Sequence, residues 1–156
     1  MDVSLQPFTE QDAIAVCGWH YPPPYDCYNT PGWAAVQAQQ WGMANESARA
    51  REFWAVYEGG ALTAFFRLSR RPDCLMLGLG IRPDACGRGF GRTLMALIKQ
   101  TAQAQYPNVP LRLSVRPFNR RAIRCYEQSG FCLLHSHTGT SPSGDTEFLL
   151  MELRVQ

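Results

Sequence analysis

Ile81-Arg82-Pro83-Asp84-Ala85-Cys86-Gly87-Arg88-Gly89-Phe90-Gly91-Arg92 is the stretch on which the fold turns. Before it, Cys74 to Ile81 reads as a strand, interrupted by Gly78 and Gly80. After it, Leu94, Leu97, Ile98, Thr101 and Ala102 share one face of an amphipathic helix from Gly91 to Gln105. Three glycines at alternate positions let the backbone turn tightly and expose N–H groups that no side chain obstructs. With the positive end of the helix dipole they form an anion site, and Arg88 and Arg92 add charge beside it. A diphosphate is the natural guest, although a plain strand-to-helix turn asks for similar glycines. A Walker loop is excluded, since no Gly-Lys-Ser/Thr follows. The dinucleotide fingerprint also fits poorly, because the next strand, Leu111 to Val115, carries no acidic residue.

Working outward toward the N-terminus, Leu62 to Leu68 and Glu52 to Tyr57 are β-rich runs around Gly59-Gly60, a tight-hairpin signal. Ala34 to Trp41 suits a short helix. Trp19, His20, Tyr21, Tyr25, Asp26, Tyr28 and Trp33 crowd into fifteen residues broken by Pro22-Pro23-Pro24. Val3 to Phe8 reads as a strand. Thr9 offers an N-cap with Asp12 three residues on, and Ala13, Ile14, Val16 and Cys17 form the apolar face of the helix behind it. That helix must end near Trp19, before the prolines. Toward the C-terminus, Asn119 to Ser129 is a helix stopped by Gly130. Phe131 to His137 and Thr146 to Val155 are two last strands, joined by a loop from Thr138 to Asp145. No repeat or low-complexity tract suggests a boundary, so residues 1–156 are expected to form one domain. The class is α/β, a mixed sandwich with helices on both faces of the sheet.

A chain of 156 residues can bury a core without a disulfide frame or a structural metal. Its formal charge of +2, without a basic arm or stripe, argues against a nucleic-acid partner. The start, Met1-Asp2-Val3-Ser4-Leu5, lacks the features of a secretory signal, and no run is long enough to span a membrane. The expectation is therefore a cytoplasmic protein with no membrane partner. Cys17, Cys27, Cys74, Cys86, Cys125 and Cys132 form no C-x-x-C pair and read as reduced thiols. Neither Cys nor His recurs at ligand spacing, so no metal is expected.

Two segments resemble the GNAT superfamily of N-acetyltransferases. Ile81-x-Pro83 followed by Gly87-Arg88-Gly89-Phe90-Gly91 resembles the family's acetyl-CoA pyrophosphate loop. Val115-x-x-x-Asn119-x-x-Ala122-Ile123-x-x-Tyr126-Glu127-x-x-Gly130-Phe131 resembles its second signature. The resemblance implies a largely antiparallel sheet splayed between two parallel strands, near Leu79 to Ile81 and Leu113 to Val115. It implies pantetheine bonded to the backbone of Leu79 and Ile81, with Gly78 and Gly80 permitting close approach. The diphosphate would lie on Gly87, Arg88, Gly89, Gly91 and Arg92, Asn119 on the cofactor arm, and Tyr126 near the sulfur. Acetyl-CoA is then the co-substrate and an amine the acceptor. The acceptor is a small molecule or a free amino terminus. A peptide or protein partner, or a module that senses acetyl-CoA without turnover, are the alternatives. A homodimer is left open.

Departures from the family pattern accompany the match. Cys86 stands where Gln or Arg is usual, as an inert filler or as an oxidisable thiol. Ser114 stands where the branch acetylating ribosomal-protein amino termini carries a glutamate, and Cys74 to Ile81 contains no acid. Tyr126 is the candidate general acid for the thiolate, or else an aromatic packed on the sheet. For the base, His135, His137, Glu52, Asp26, Glu147 and a water chain all stay open. The aromatic segment either cages a cationic amine with Trp19, Tyr21, Tyr25 and Tyr28, Asp26 supplying charge, or covers the core.

Overall fold

A computed structural model describes residues 2–141 and 144–154. Among the described residues the order is β1 (Val3–Pro7), α1 (Glu10–Cys17), α2 (Trp33–Ala38), α3 (Glu46–Glu52), β2 (Phe53–Glu58), β3 (Ala61–Arg70), β4 (Leu75–Ile81), α4 (Phe90–Gln105), β5 (Leu111–Val115), α5 (Arg120–Gln128), β6 (Cys132–Ser141) and β7 (Gly144–Leu153). Short 3-10 turns cover Tyr25–Tyr28, Gly42–Ala44 and Pro83–Ala85. The strands follow the order β1-β2-β3-β4-β5-β7-β6. β1 with β2, β2 with β3, β5 with β7 and β6 with β7 are antiparallel. β4 and β5 run parallel, and their registered pairs are Leu75 with Leu111 and Met76 with Arg112. The mixed, mostly antiparallel sheet expected from the sequence is the one that forms. No helix among the described residues is long and apolar enough to cross a membrane.

The chain forms two compact units, Met1–Arg67 with Leu79–Leu94, and Leu68–Gly78 with Met95–Gln156. In the first, the capping box that opens α1 is the one its sequence signals. Thr9 Oγ1 accepts from the Asp12 N–H at 3.1 Å, and the Asp12 carboxylate accepts from the Thr9 N–H at 2.9 Å. Asp12 is buried, and its other oxygen accepts from the Tyr57 hydroxyl at 2.5 Å. That bond, with burial second, pushes Tyr57 up to about 12. Gly59 and Gly60 take φ of 58° and 82°, the left-handed pair that a two-residue hairpin loop requires. The core of this unit gathers Phe8, Val16, Val36, Met43, Phe53 and Ala55. Phe8 stacks on Phe53 at 5.2 Å and tilts against Phe65 at 5.6 Å. Each such ring contributes about 1.5–3 kcal/mol on burial.

Three expectations for this unit need correction. Ile14 is 38% exposed, so the buried face of α1 is Ala13, Val16 and Cys17. Helix α3 was not anticipated. It is seven residues long and buries only Ala48 and Arg49, too few to show a period. Its cap, Asn45, accepts from the Ala48 N–H at 2.8 Å. Glu52, expected to begin a strand, is its last residue.

In the second unit, β5, β7 and β6 are joined by two antiparallel ladders. The expected loop from Thr138 to Asp145 is mostly strand. Thr138 pairs with Glu147, Gly139 with Thr146 and Thr140 with Asp145. β-branched threonines suit a pleated surface, which outweighs the loop-like Gly and Ser content. Gly139 has a packing reason as well, since a Cβ there would lie 2.9 Å from the Phe148 ring. Pro142, Ser143 and Val155, the last being the expected end of the final strand, lie outside the described residues. Glu152 is buried and held by Arg112 Nε at 2.7 Å and Arg154 Nε at 2.9 Å.

Candidate functional site

The glycine loop adopts the backbone its sequence demands. Gly87 and Gly89 have φ of 78° and 76°, are exposed, and lead directly into the sixteen-residue α4. Buried Phe90 and Leu94 anchor that helix, so its first turn is fixed beside the loop. Gly91 lies inside α4 and is not left-handed, so its N–H belongs to the open first turn of the helix. A Cβ on Gly89 would meet nothing within 4 Å. This is an open cradle bordered by main-chain donors, and its chemistry fits a diphosphate. Arg88 places Nη2 3.3 Å from Glu58, which balances part of its charge. Arg82 steadies the approach to the loop. It donates to the Leu62 carbonyl at 2.8 Å and to Asp84 at 2.5 Å, and the latter bond holds the Asp84 carboxyl below its usual range. The Cys86 thiol turns inward, toward the carbonyls of Ile81 and Arg82 at 3.7 and 3.6 Å.

At the end of β4 the Arg82 N–H donates to the Thr63 carbonyl at 2.8 Å. Backbone groups alternate in direction along a strand, so those of Ile81 and Leu79 face the opposite edge. There the Tyr21 hydroxyl donates to the Ile81 carbonyl at 2.6 Å. Burial, with Cys86 a lesser cause, pushes the Tyr21 hydroxyl well above its usual range. No sequence signal pointed to this bond between residues 60 apart. Gly80 also has a packing reason, beside the ligand approach expected of it. A Cβ there would sit 2.5 Å from Cε1 of Phe65, so the ring of the neighbouring strand occupies that space.

The aromatic segment divides in two. Trp19 and Trp33 pack against the core of the first unit, and Trp19 lies 6.2 Å from Phe65. Tyr21 is fastened to β4, and its own backbone is tied to Asn29, whose Oδ1 accepts from the Tyr21 N–H at 2.6 Å. Tyr25, Asp26 and Tyr28 share the 3-10 turn that this closure holds, with Tyr28 and Asp26 exposed and Tyr25 half-buried. The covering reading thus holds for Trp19 and Trp33.

The second unit holds the other expected residues. Asn119 caps α5, and its Oδ1 accepts from the Ala122 N–H at 3.2 Å. Tyr126 lies two turns further along and is half-buried, its ring 5.9 Å from Phe131. On the ladder of β5, β7 and β6, Ser114 Oγ is 3.3 Å from His137 Nε2. The two residues are 23 apart in the chain, and nothing in the sequence paired them. Among the other base candidates, Glu52 is engaged by Arg67 through Nε and Nη2, each at 2.9 Å.

A sequence profile described as the acetyltransferase (GNAT) family matches residues 13–131. No curated protein sequence matches the chain. Three solved structures illustrate the likeness in fold. The ribosomal-protein-S18-alanine N-acetyltransferase from Escherichia coli is 20% identical with a TM-score of 0.71, over 99% of this chain and 94% of that one. AAC(6')-Ib in complex with paromomycin and acetyl-CoA is 21% identical with a TM-score of 0.74, over the same shares. A spermidine N-acetyltransferase chimera from Vibrio cholerae and hSSAT is 13% identical with a TM-score of 0.77, over 99% and 96%.

Proposed function

The chain belongs to the GNAT acetyltransferase family and is an acyltransferase, and from that premise we propose that it moves the acetyl group of acetyl-CoA onto a primary amine, that of a small molecule or of a free amino terminus. Enzymes of the family use acetyl-CoA as co-substrate. The observation that carries the reading is the pair of left-handed glycines, Gly87 and Gly89, opening the long helix α4. The proposal treats residues 1–156 as one catalytic domain.

Gly87, Gly89 and Gly91 present main-chain donors to the diphosphate, and Arg88 and Arg92 add charge. The backbone of Leu79 and Ile81 bonds the pantetheine arm, and the Ile81 N–H is the donor proposed for the developing oxyanion. Asn119, at the N-cap of α5, bonds the cofactor arm. Tyr126 protonates the departing thiolate. Tyr25 and Tyr28 contact the acceptor, and the exposed carboxylate of Asp26 between them suits an acceptor that arrives as an ammonium ion.

A panel of small amines and amino-terminal peptides, assayed as CoA thiol released, tests the reading. Turnover with amines supports it, and the split between peptides and small amines names the acceptor class. Acetyl-CoA binding without thiol release from any member would overturn it in favour of a sensor.

A further inference from the structure

An amine that enters as an ammonium ion must lose a proton before its nitrogen can attack the thioester. Most carboxylates of the protein that hold a defined geometry are engaged elsewhere. Glu52 is bound by Arg67, Glu152 by Arg112 and Arg154, and Glu58 by Arg88. Asp12 is committed to the α1 cap and Tyr57, and Asp84 to Arg82. Glu147 neighbours Phe148 on β7 and so projects to the opposite face of the strand.

A different group is poised on the Phe148 side. Ser114 pairs with Leu150 and His137 with Phe148. Positions 148 and 150 share a face of β7, so Ser114 and His137 project to the same side, and they meet at 3.3 Å. His137 is half-buried and held from two sides. Its ring stacks on Phe148 with centroids 5.7 Å apart and planes at 21°, and His135 of its own strand meets it edge-on at 6.2 Å. Arg116 lies against the same Phe148 ring at 5.3 Å. The charged or titratable groups around His137 are thus Arg116 and His135, and the carboxylate further along this face, Glu152, is tied to Arg112 and Arg154. Ser114 is exposed and sits on β5 beyond Arg112, the last residue registered with β4.

We infer that His137, hydrogen-bonded to Ser114, accepts the proton of the acceptor ammonium. The inference rests on the amine-acetylation reading above. The proton leaves the nitrogen for His137 Nε2, either directly or through Ser114, whose hydroxyl passes its own proton on as it receives another. The amine then forms the C–N bond, the C–S bond breaks, and the second nitrogen proton balances the thiolate, which leaves as the thiol. The imidazolium returns its proton to water. Nε2 must be the bare nitrogen for this, with Nδ1 protonated, so the Ser114 hydroxyl donates to Nε2 in the resting enzyme.

The test is the pH dependence of kcat between 5 and 9 for wild type, His137→Gln and Ser114→Ala. Wild type should lose rate toward acid pH, because only neutral imidazole accepts a proton. His137→Gln should lower kcat by about 10²–10⁴ and abolish that limb. Ser114→Ala should lower kcat by less than His137→Gln and keep the limb, since His137 itself remains. In His137→Ala, added imidazole should restore part of the rate, which loss of a merely structural ring would not allow. Wild-type turnover of amines with an unchanged rate and limb in a folded His137→Gln overturns the assignment alone. A wild type that releases no thiol with any amine overturns the parent reading, and this inference with it.

Discussion

The two compact units use their aromatic and polar side chains in opposite ways. In the first, Phe8, Phe53, Phe65 and Trp19 close on one another, and the polar groups around them are tied into caps and ion pairs. In the second, α5 buries none of its residues, and Ser114, His135 and His137 stand on an accessible side of the β5–β7–β6 ladder. Buried rings are stabilising but chemically silent. Half-exposed polar groups held by a rigid ladder add little stability and remain able to exchange protons. Substitutions in the second unit should therefore change kcat, and those in the first should change stability and ligand affinity.

The largest effect tests the second unit. Tyr126→Phe keeps the ring against Phe131 and removes the hydroxyl, so kcat should fall about 10²–10⁴ with acetyl-CoA affinity and Tm nearly unchanged. A wild-type kcat where chemistry limits the rate would make Tyr126 a packing residue and erase the contrast. In the first unit, Trp19→Ala should do the reverse. It removes a half-buried ring from the core cluster and should cost about 2–3 kcal/mol in denaturant unfolding, less than the ~3–5 of a fully buried one. The folded fraction should retain its kcat.

Gly89→Val separates binding from stability. Its side chain would enter the cradle and would also resist the φ of 76°. Acetyl-CoA affinity measured by calorimetry should fall at least ~10-fold, about 1.4 kcal/mol. Gly89→Ala carries the same backbone strain with less bulk, so a much smaller loss there would assign the effect to the cradle. Tyr25→Ala and Tyr28→Ala should raise the acceptor KM several-fold, on the order of 1 kcal/mol, and spare acetyl-CoA binding. Lost Tm with unaltered kinetics would move these two rings to the packing group with Trp19.

The smallest effect is a pH slope. Tyr57 binds its proton more tightly folded, near 12, than unfolded, near an ordinary ~10. Its contribution to stability is full below about pH 10 and is lost as pH rises toward 12. Across that window wild type should lose stability relative to Tyr57→Phe, and parallel curves would show that the bond to Asp12 does not couple to folding.

What was legible followed from chain-local rules. Thr9 with Asp12, Gly59-Gly60, Gly130 and the glycine loop were readable because caps and left-handed turns are set by residues within a few positions of each other. The face of α4 was readable because its period persists over sixteen residues. Helix α3 escaped because seven residues with two buried positions carry no period. The β6–β7 hairpin was read too short because Ser, Thr and Gly favour turns until a partner strand supplies pairs for them.

The sequence by itself determined where the backbone had to turn, where α1, α4 and α5 began, and which loop could receive a diphosphate. Those features depend on short-range sterics and on N–H groups that a nearby helix must leave open. The tertiary structure alone decided which aromatic rings face inward, that Tyr21 reaches Ile81, that Phe65 crowds Gly80, and that His137 meets Ser114. Each of these joins residues on different elements. Side-chain direction relative to a distant strand depends on register and packing, and neither is written in any short stretch of the chain.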